Sequence, residues 1–215
     1  SSAVHACTLH TLATRRLYLH LYIMTDTNEK AKLQSSVLMA HHNVEEWRKD
    51  NEALFHPPVC NKLMHKSQLN VMFVGGPNTR TDFHLDLGSE FFFQMKGNME
   101  LPTIQCGKRK LVRIREGDVF LLPSRVPHSP QRPETGSFGL VIERTRNDGE
   151  LDGLRWYTDF DKCDTVLWEK YFKCDDLGKD LVPVVMEYKA SEEAKSFVPA
   201  DHVVPDDQKP WLQDM

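Results

Sequence analysis

Between residues 69 and 144 the chain alternates short runs of β-forming residues with turn residues, at intervals of about ten. The runs are 70–74, 90–95, 99–105, 110–114, 119–122 and 138–143. Between them stand Gly75-Gly76-Pro77-Asn78, Lys96-Gly97-Asn98, Cys106-Gly107-Lys108, Glu116-Gly117-Asp118 and Glu134-Thr135-Gly136, residues that accept turn dihedrals. The pattern predicts sequential hairpins closing into an antiparallel barrel or double-sheet roll. Before it, Val44, Trp47, Ala53 and Leu54 at mixed helical spacing predict a short helix within 43–55. Asn43 is placed to cap it, with Glu46 three residues on. His56-Pro57-Pro58 ends it, because proline disfavours helical geometry in the residue before it. Beyond Arg144 the strand signal fades. Leu167, Trp168 and Tyr171 on one side, behind a capping Asp164, predict a helix over 164–172, and 191–195 predicts another helical turn.

Composition narrows the class. The 215 residues suit one large domain or two small ones. With 40% hydrophobic and 27% charged residues, the chain can bury a core and is not a solvated tail. Twenty-seven Lys and Arg against 31 Asp and Glu leave a formal charge of −4, so no overall basic field attracts nucleic acid or an anionic membrane. No apolar run approaches the roughly 20 residues of a membrane helix. The five cysteines, Cys7, Cys60, Cys106, Cys163 and Cys174, are odd in number, dispersed and without a C-x-x-C pair. They imply neither a disulfide framework nor a tetrathiolate zinc site and fit a reducing, cytosolic setting. Residues 1–23 lack acidic side chains and carry Arg15 and Arg16. They read either as a transit-peptide remnant or, the favoured reading, as sequence upstream of a natural start at Met24. The expected organisation is an extension over 1–36, a domain over 37–198 and a Pro-containing acidic linker over 199–215.

Ten histidines are present, and most are expected to be ordinary surface or hydrogen-bonded residues. Spacing singles out His84 and Glu90, which flank Gly88 at the mouth of one strand, and His128, which follows the run 119–122. In a barrel, the start of one strand and the end of its antiparallel neighbour share a rim, so the three can converge. Two imidazoles and one carboxylate leave coordination positions open, as in the non-haem Fe(II) oxygenases. Catalytic zinc uses a similar set, so ligand type alone leaves the metal open.

Asp82-x-His84, then Glu90, then six residues to Gly97, resembles the first cupin motif. Gly117-x5-Pro123 with His128 five positions on resembles the second. The departures are Asp82 at the first histidine position, Arg125 where glycine is usual, and Arg132 where asparagine is usual. The segments PVCNKLMH (58–65), NVMFVGGPNTR (70–80), FLLPSRVPHSPQR (120–132) and ELDGLR (150–155) closely resemble the 3-hydroxyanthranilate 3,4-dioxygenase family, the similarity running from about residue 43 to about residue 198.

The resemblance implies an all-β, cupin-type double-stranded β-helix (a jelly-roll barrel) with a few short flanking helices. It implies one Fe(II) per chain on His84, Glu90 and His128, Arg132 on the substrate carboxylate, and Arg80 on the dioxygen side or sharing the carboxylate. Glu143 matches an acid that contacts substrate and can take the phenolic proton, and Glu90 also faces substrate. The implied reaction opens the ring of 3-hydroxyanthranilate with O₂ to 2-amino-3-carboxymuconate semialdehyde, on the kynurenine route to quinolinate and NAD. A second, rubredoxin-like iron is not expected, since Cys163 and Cys174 are too far apart for paired C-x-x-C ligands. The expected setting is cytoplasmic, as a monomer or weak homodimer, without nucleic acid or membrane. The match is to the animal branch, whose members carry a second, degenerate cupin domain after a linker. Two other readings stand beside it. A zinc cupin of the sugar-phosphate isomerase type would need a phosphate-selective pocket, and a non-catalytic metal-bound module would not need both arginines.

Overall fold

The computed structural model describes residues 41–57 and 60–199. The extension 1–36, Cys7 and all but residue 199 of the expected linker lie outside them. The chain divides after Arg48 into two compact units. In the first, the described residues begin helix α1 (Val44–Asp50), and Asn43 Oδ1 accepts the Glu46 backbone N–H at 3.1 Å. The expected cap is present: a short polar side chain satisfies one of the donors that a helix start leaves open.

The described residues of the second unit form ten strands. Five form one antiparallel sheet in the order β1 (Asn61–Lys66), β2 (Leu69–Gly75), β8 (Phe138–Arg144), β4 (Glu90–Lys96), β7 (Val119–Leu122). Opposite them lie β10 (Val166–Phe172), β9 (Asp152–Tyr157) and β3 (Phe83–Leu85) in that order, and the hairpin of β5 (Met99–Gln105) and β6 (Lys108–Ile114). Single bridges, His84 to His128, Thr103 to His128 and Glu100 to Gln131, run the extended segment at 128–131 between β3 and β5, so these pieces make a second sheet. The all-β, cupin-type double-sheet roll is therefore present.

The core follows from period-two alternation. Met72, Phe92, Leu122 and Val141 point inward from the first sheet and meet Met99, Leu101 and Ile114 from the second. Each of these seven is at most 5% exposed, and burying such side chains contributes about 1.5–3 kcal/mol apiece. A second cluster gathers on β9 and β10, where Leu154, Trp156, Leu167 and Trp168 receive Val184 from helix α2 (Leu177–Ala190). Trp156 stacks on Tyr188 of that helix with ring centroids 4.0 Å apart. Helix α3 (Glu192–Ser196) follows at once, capped by the Ser191 side chain, as the sequence predicts for 191–195.

Three expectations are corrected. Residues 164–172 do not form a helix: Val166–Phe172 is β10, paired antiparallel with β9. A register shift between Val166 and Trp168 lets Leu167 and Trp168 both be buried, so the alternation that marks a strand is broken there. Strand structure also continues past Arg144, through β9 and β10. Finally, the runs are not a chain of sequential hairpins. β8 returns between β2 and β4, and β4 pairs with β7, so strands far apart in sequence lie side by side. That crossing brings Glu90 and Glu143 directly opposite each other.

Candidate metal centre

His84 is the central residue of β3, and its backbone exchanges two hydrogen bonds with His128, of 2.7 and 3.0 Å. Residues paired in this way project their side chains to the same face. The two imidazoles consequently stand edge to face with ring centroids 5.3 Å apart. Glu90 opens β4 of the facing sheet and reaches between them: its Oε1 lies 2.9 Å from His128 Nε2 and 3.8 Å from His84 Nδ1. All three residues are at most 4% exposed, and one ligand atom from each falls within 4.8 Å of the others.

The hydrogen bonds on the far sides of the rings decide what faces inward. His128 Nδ1 is 3.0 Å from the Val126 carbonyl, and His84 Nε2 is 2.7 Å from Asp152 Oδ2. Both partners can only accept, so those nitrogens carry protons. In the neutral rings, His128 Nε2 and His84 Nδ1 are then bare lone pairs. They face Glu90 Oε1, a buried oxygen with no hydrogen-bond donor of its own. Three buried acceptors aimed at one point repel each other unless a cation lies between them, and a nitrogen–nitrogen–carboxylate set fits a divalent transition metal.

The surroundings add negative charge. Asp86, Glu143 and Asp152 are each at most 4% exposed and converge on one guanidinium, Arg146. Without a cation the rings can take up protons instead; burial then still pushes Glu90 upward, but the His128 charge and hydrogen bond, with the His84 charge and Arg146, outweigh it and hold the carboxyl at about 2. Burial also opposes charge on His84, and there the Asp152 hydrogen bond together with Asp152, Glu90 and Asp86 prevails and raises the ring above its ordinary value. Glu143 behaves oppositely to Glu90. Burial, helped by the Glu90 and Asp86 charges and resisted by Arg146, lifts it to about 7.

The other expected site residues are placed as follows. His128, Pro130 and Arg132 alternate along one extended segment, so all three face the same cavity, together with Arg80, Phe92 and Leu181. Arg132 is held by reciprocal 2.7 Å backbone bonds to Asn78. Its side chain is 2% exposed, its Nε and Nη2 have no acceptor, and burial, against the pull of Glu90, lowers it to about 10. Arg80 lines the same cavity but is not free: the Asp82 carboxylate takes its Nε–H at 3.0 Å and pairs with Nη2. Asp82, where a cupin would carry its first histidine, thus orients an arginine. Glu143 borders an adjoining space that shares Asn61, Met72 and Leu177 with this cavity. Its Oε1 accepts from Asn70 at 3.3 Å and from Arg146, while its buried Oε2 has no partner.

Asp86, Arg146 and Asp152 are functional neighbours that sequence reasoning missed. The available signal was Asp152 inside ELDGLR, an acid two residues before the core Leu154 and so in phase with it on a strand.

The family model described as 3-hydroxyanthranilic acid dioxygenase matches residues 37–189. A human protein named 3-hydroxyanthranilate 3,4-dioxygenase is 53% identical over 156 residues, 73% of this chain and 54% of its own length. One of the same name from Nematostella vectensis is 54% identical over 156 residues, 72% of this chain and 56% of its own. The chain thus spans about half the length of the curated relatives it matches. A solved cupin-2 domain protein from Shewanella frigidimarina superposes over 52% of this chain and 98% of its own, with a TM-score of 0.38 and 17% identity. With most of the described residues, the metal-centre segments included, inside the match, this chain belongs to the 3-hydroxyanthranilic acid dioxygenase family.

Proposed function

We propose that this chain binds one Fe(II) on His84, Glu90 and His128 and uses it to open the ring of 3-hydroxyanthranilate with O₂, giving 2-amino-3-carboxymuconate semialdehyde. The observation that carries the reading is the pairing of two unsatisfied features in one cavity. Bare His84 and His128 nitrogens converge on Glu90, and beside them Arg132 presents donors with nothing to bind. The first fits a metal; the second fits a planar anion on the molecule the metal acts upon. Iron bound there would supply the one-electron chemistry that lets O₂ react with an electron-rich ring.

The chain's own residues supply the rest. Arg132 grips the substrate carboxylate with parallel N–H donors, an arrangement lysine cannot reproduce, and so fixes which ring edge faces the histidines. Phe92, Val74 and Leu181 wall the cavity with apolar surface that holds the ring and excludes water. Glu143, lifted to about 7, is poised near neutrality to take the phenolic proton on its unpartnered Oε2. Arg80, kept in place by Asp82, offers a fixed positive charge to oxygen-centred negative charge as it develops.

The remaining assignments belong to the same proposal. The catalytic domain runs over 37–198, and the four described cysteines, all free thiols, support work in a reducing cytoplasm. The test separates the roles. Arg132→Ala should keep iron while losing affinity for 3-hydroxyanthranilate, and His84→Ala should lose the iron. Equal metal loss in both variants contradicts this division of labour.

A further inference from the structure

The two histidines of the metal centre present different nitrogens. His128 turns Nε2 inward and ties Nδ1 to the Val126 carbonyl two residues back, a local bond that its own loop provides. His84 turns Nδ1 inward, which sends Nε2 away from the centre and into the protein, where nothing on β3 itself can meet it. What meets it is Asp152, 68 residues along the chain, at 2.7 Å.

Asp152 is built for a single orientation. It is 1% exposed and opens β9, the strand that pairs with β3 through His84–Leu154 and Leu85–Gly153. Gly153 fits because it lacks a side chain: a Cβ there would come within 2.7 Å of the Tyr171 ring, so the start of β9 is pressed against β10. Both carboxylate oxygens of Asp152 are then taken by Arg146, whose Nε reaches Oδ1 at 2.8 Å and whose Nη2 reaches Oδ2 at 2.6 Å. A two-pronged planar clamp of this kind sets the plane of the carboxylate as well as its position. Arg146 is itself anchored by Asp86 at 3.0 Å and by Glu143.

We infer that Asp152, clamped by Arg146, is the positioning residue that holds the His84 proton on Nε2 and so keeps the Nδ1 lone pair facing the metal. The inference rests on the metal-site reading above. A carboxylate is the right group because it can only accept. An amide of the same shape can donate to Nε2 instead, which moves the ring proton to Nδ1 and closes that nitrogen to a metal. Loss of the correct tautomer is the known consequence of the equivalent acid-to-amide change in a serine protease triad. Carboxylates behind metal-bound histidines also raise the basicity of the ligand nitrogen, and altering them typically costs about 10–100-fold in metal affinity.

The test uses the full 215-residue chain, with Co(II) and Fe(II) affinities measured anaerobically against a competing chelator. Asp152→Asn is expected to bind about 10–100-fold more weakly than the unaltered chain. Arg146→Lys, which can hold only one Asp152 oxygen, should fall between the two. A spectroscopic readout stands apart from any loss of stability. In the unaltered Zn(II)-loaded chain with ¹⁵N-labelled histidine, the His84 Nε2 should carry a slowly exchanging proton while Nδ1 bears the metal. A His84 proton found on Nδ1 overturns the inference even if every variant unfolds, as does unchanged affinity in Asp152→Asn. Failure of the unaltered chain to bind any metal would instead sink the metal-site reading itself.

Discussion

Arg132 is the side chain whose removal separates function from stability most sharply. In the free chain it is a buried cation whose Nε and Nη2 have no acceptor. A buried donor without a partner costs about 1–3 kcal/mol. The lowering of the guanidinium to about 10, with burial outweighing the attraction of Glu90, corresponds to roughly 3 kcal/mol against the charged form. Methionine has similar length and no such cost, so Arg132→Met should raise the unfolding free energy of the substrate-free chain by about 1–3 kcal/mol. At this chain length that is a few degrees in melting temperature, on the order of 2–4 °C per kcal/mol. Function should move the other way. Removing a desolvated charge partner costs about 2–5 kcal/mol, which is roughly 30- to 5,000-fold in kcat/KM for 3-hydroxyanthranilate. Iron content should not change. The assay is a melting curve with and without substrate, beside steady-state kinetics and bound-iron analysis on the same preparation. A variant that melts lower than the unaltered chain, or keeps kcat/KM within threefold, refutes the reasoning that Arg132 is held charged and unpaired for a ligand.

Four further outcomes follow from the same geometry. Gly139→Ala should disturb the same contact from behind, because its Cβ would lie 2.6 Å from Gln94 Oε1 and 3.1 Å from Arg132 Nη2. Since a misplacement of about 1 Å can cost around 100-fold, kcat/KM should drop at least about tenfold with iron retained, and titration calorimetry should place the loss in substrate binding. Glu143 should set the acidic limb of the pH–rate profile, with kcat/KM falling as pH falls through about 7 and with Glu143→Gln lacking that limb. The same residue carries a stability signature. Its folded value lies above its ordinary 4.5, so the folded state binds the extra proton between those values and stability falls as pH rises from about 4.5 to about 7. Urea unfolding across that range should show a shallower decline in Glu143→Gln. Leu154→Ala, at a fully buried position between β9 and α2, should cost about 2–5 kcal/mol in urea unfolding while leaving metal stoichiometry intact in the folded fraction.

Four of the five strands of the first sheet were legible because their side chains alternate between core and surface, and turn residues mark their ends. β2, β4, β7 and β8 lie within two residues of the runs seen in the sequence at every boundary. β10 was not, because the irregularity near Val166 buries two consecutive residues and turns a period of two into something that resembles a helical stripe. Helix α2 was hidden by Gly178 and Pro183, residues that ordinarily argue against a helix, and it is held by the packing of Val184 and Tyr188 on the tryptophans rather than by propensity. β1 is a polar edge strand, NKLMHK, without a buried face to announce it. At the site, His84, Glu90 and His128 could be read from motif spacing, since the resemblance fixes their places along the chain. The clamp of Arg146 on Asp152 could not. Both look like surface charges in sequence; the pairing of β9 with β3 brings Asp152 to His84, and the loop after β8 brings Arg146 to Asp152.

The central claim is tested most directly by one experiment. The chain is loaded with Fe(II) under anaerobic conditions, mixed with one equivalent of 3-hydroxyanthranilate and then exposed to air while absorbance and dissolved O₂ are followed. The account predicts growth of the ring-opened semialdehyde absorbance with uptake of one O₂ per substrate. Unchanged absorbance with O₂ unconsumed, in a chain shown to hold its iron, contradicts it.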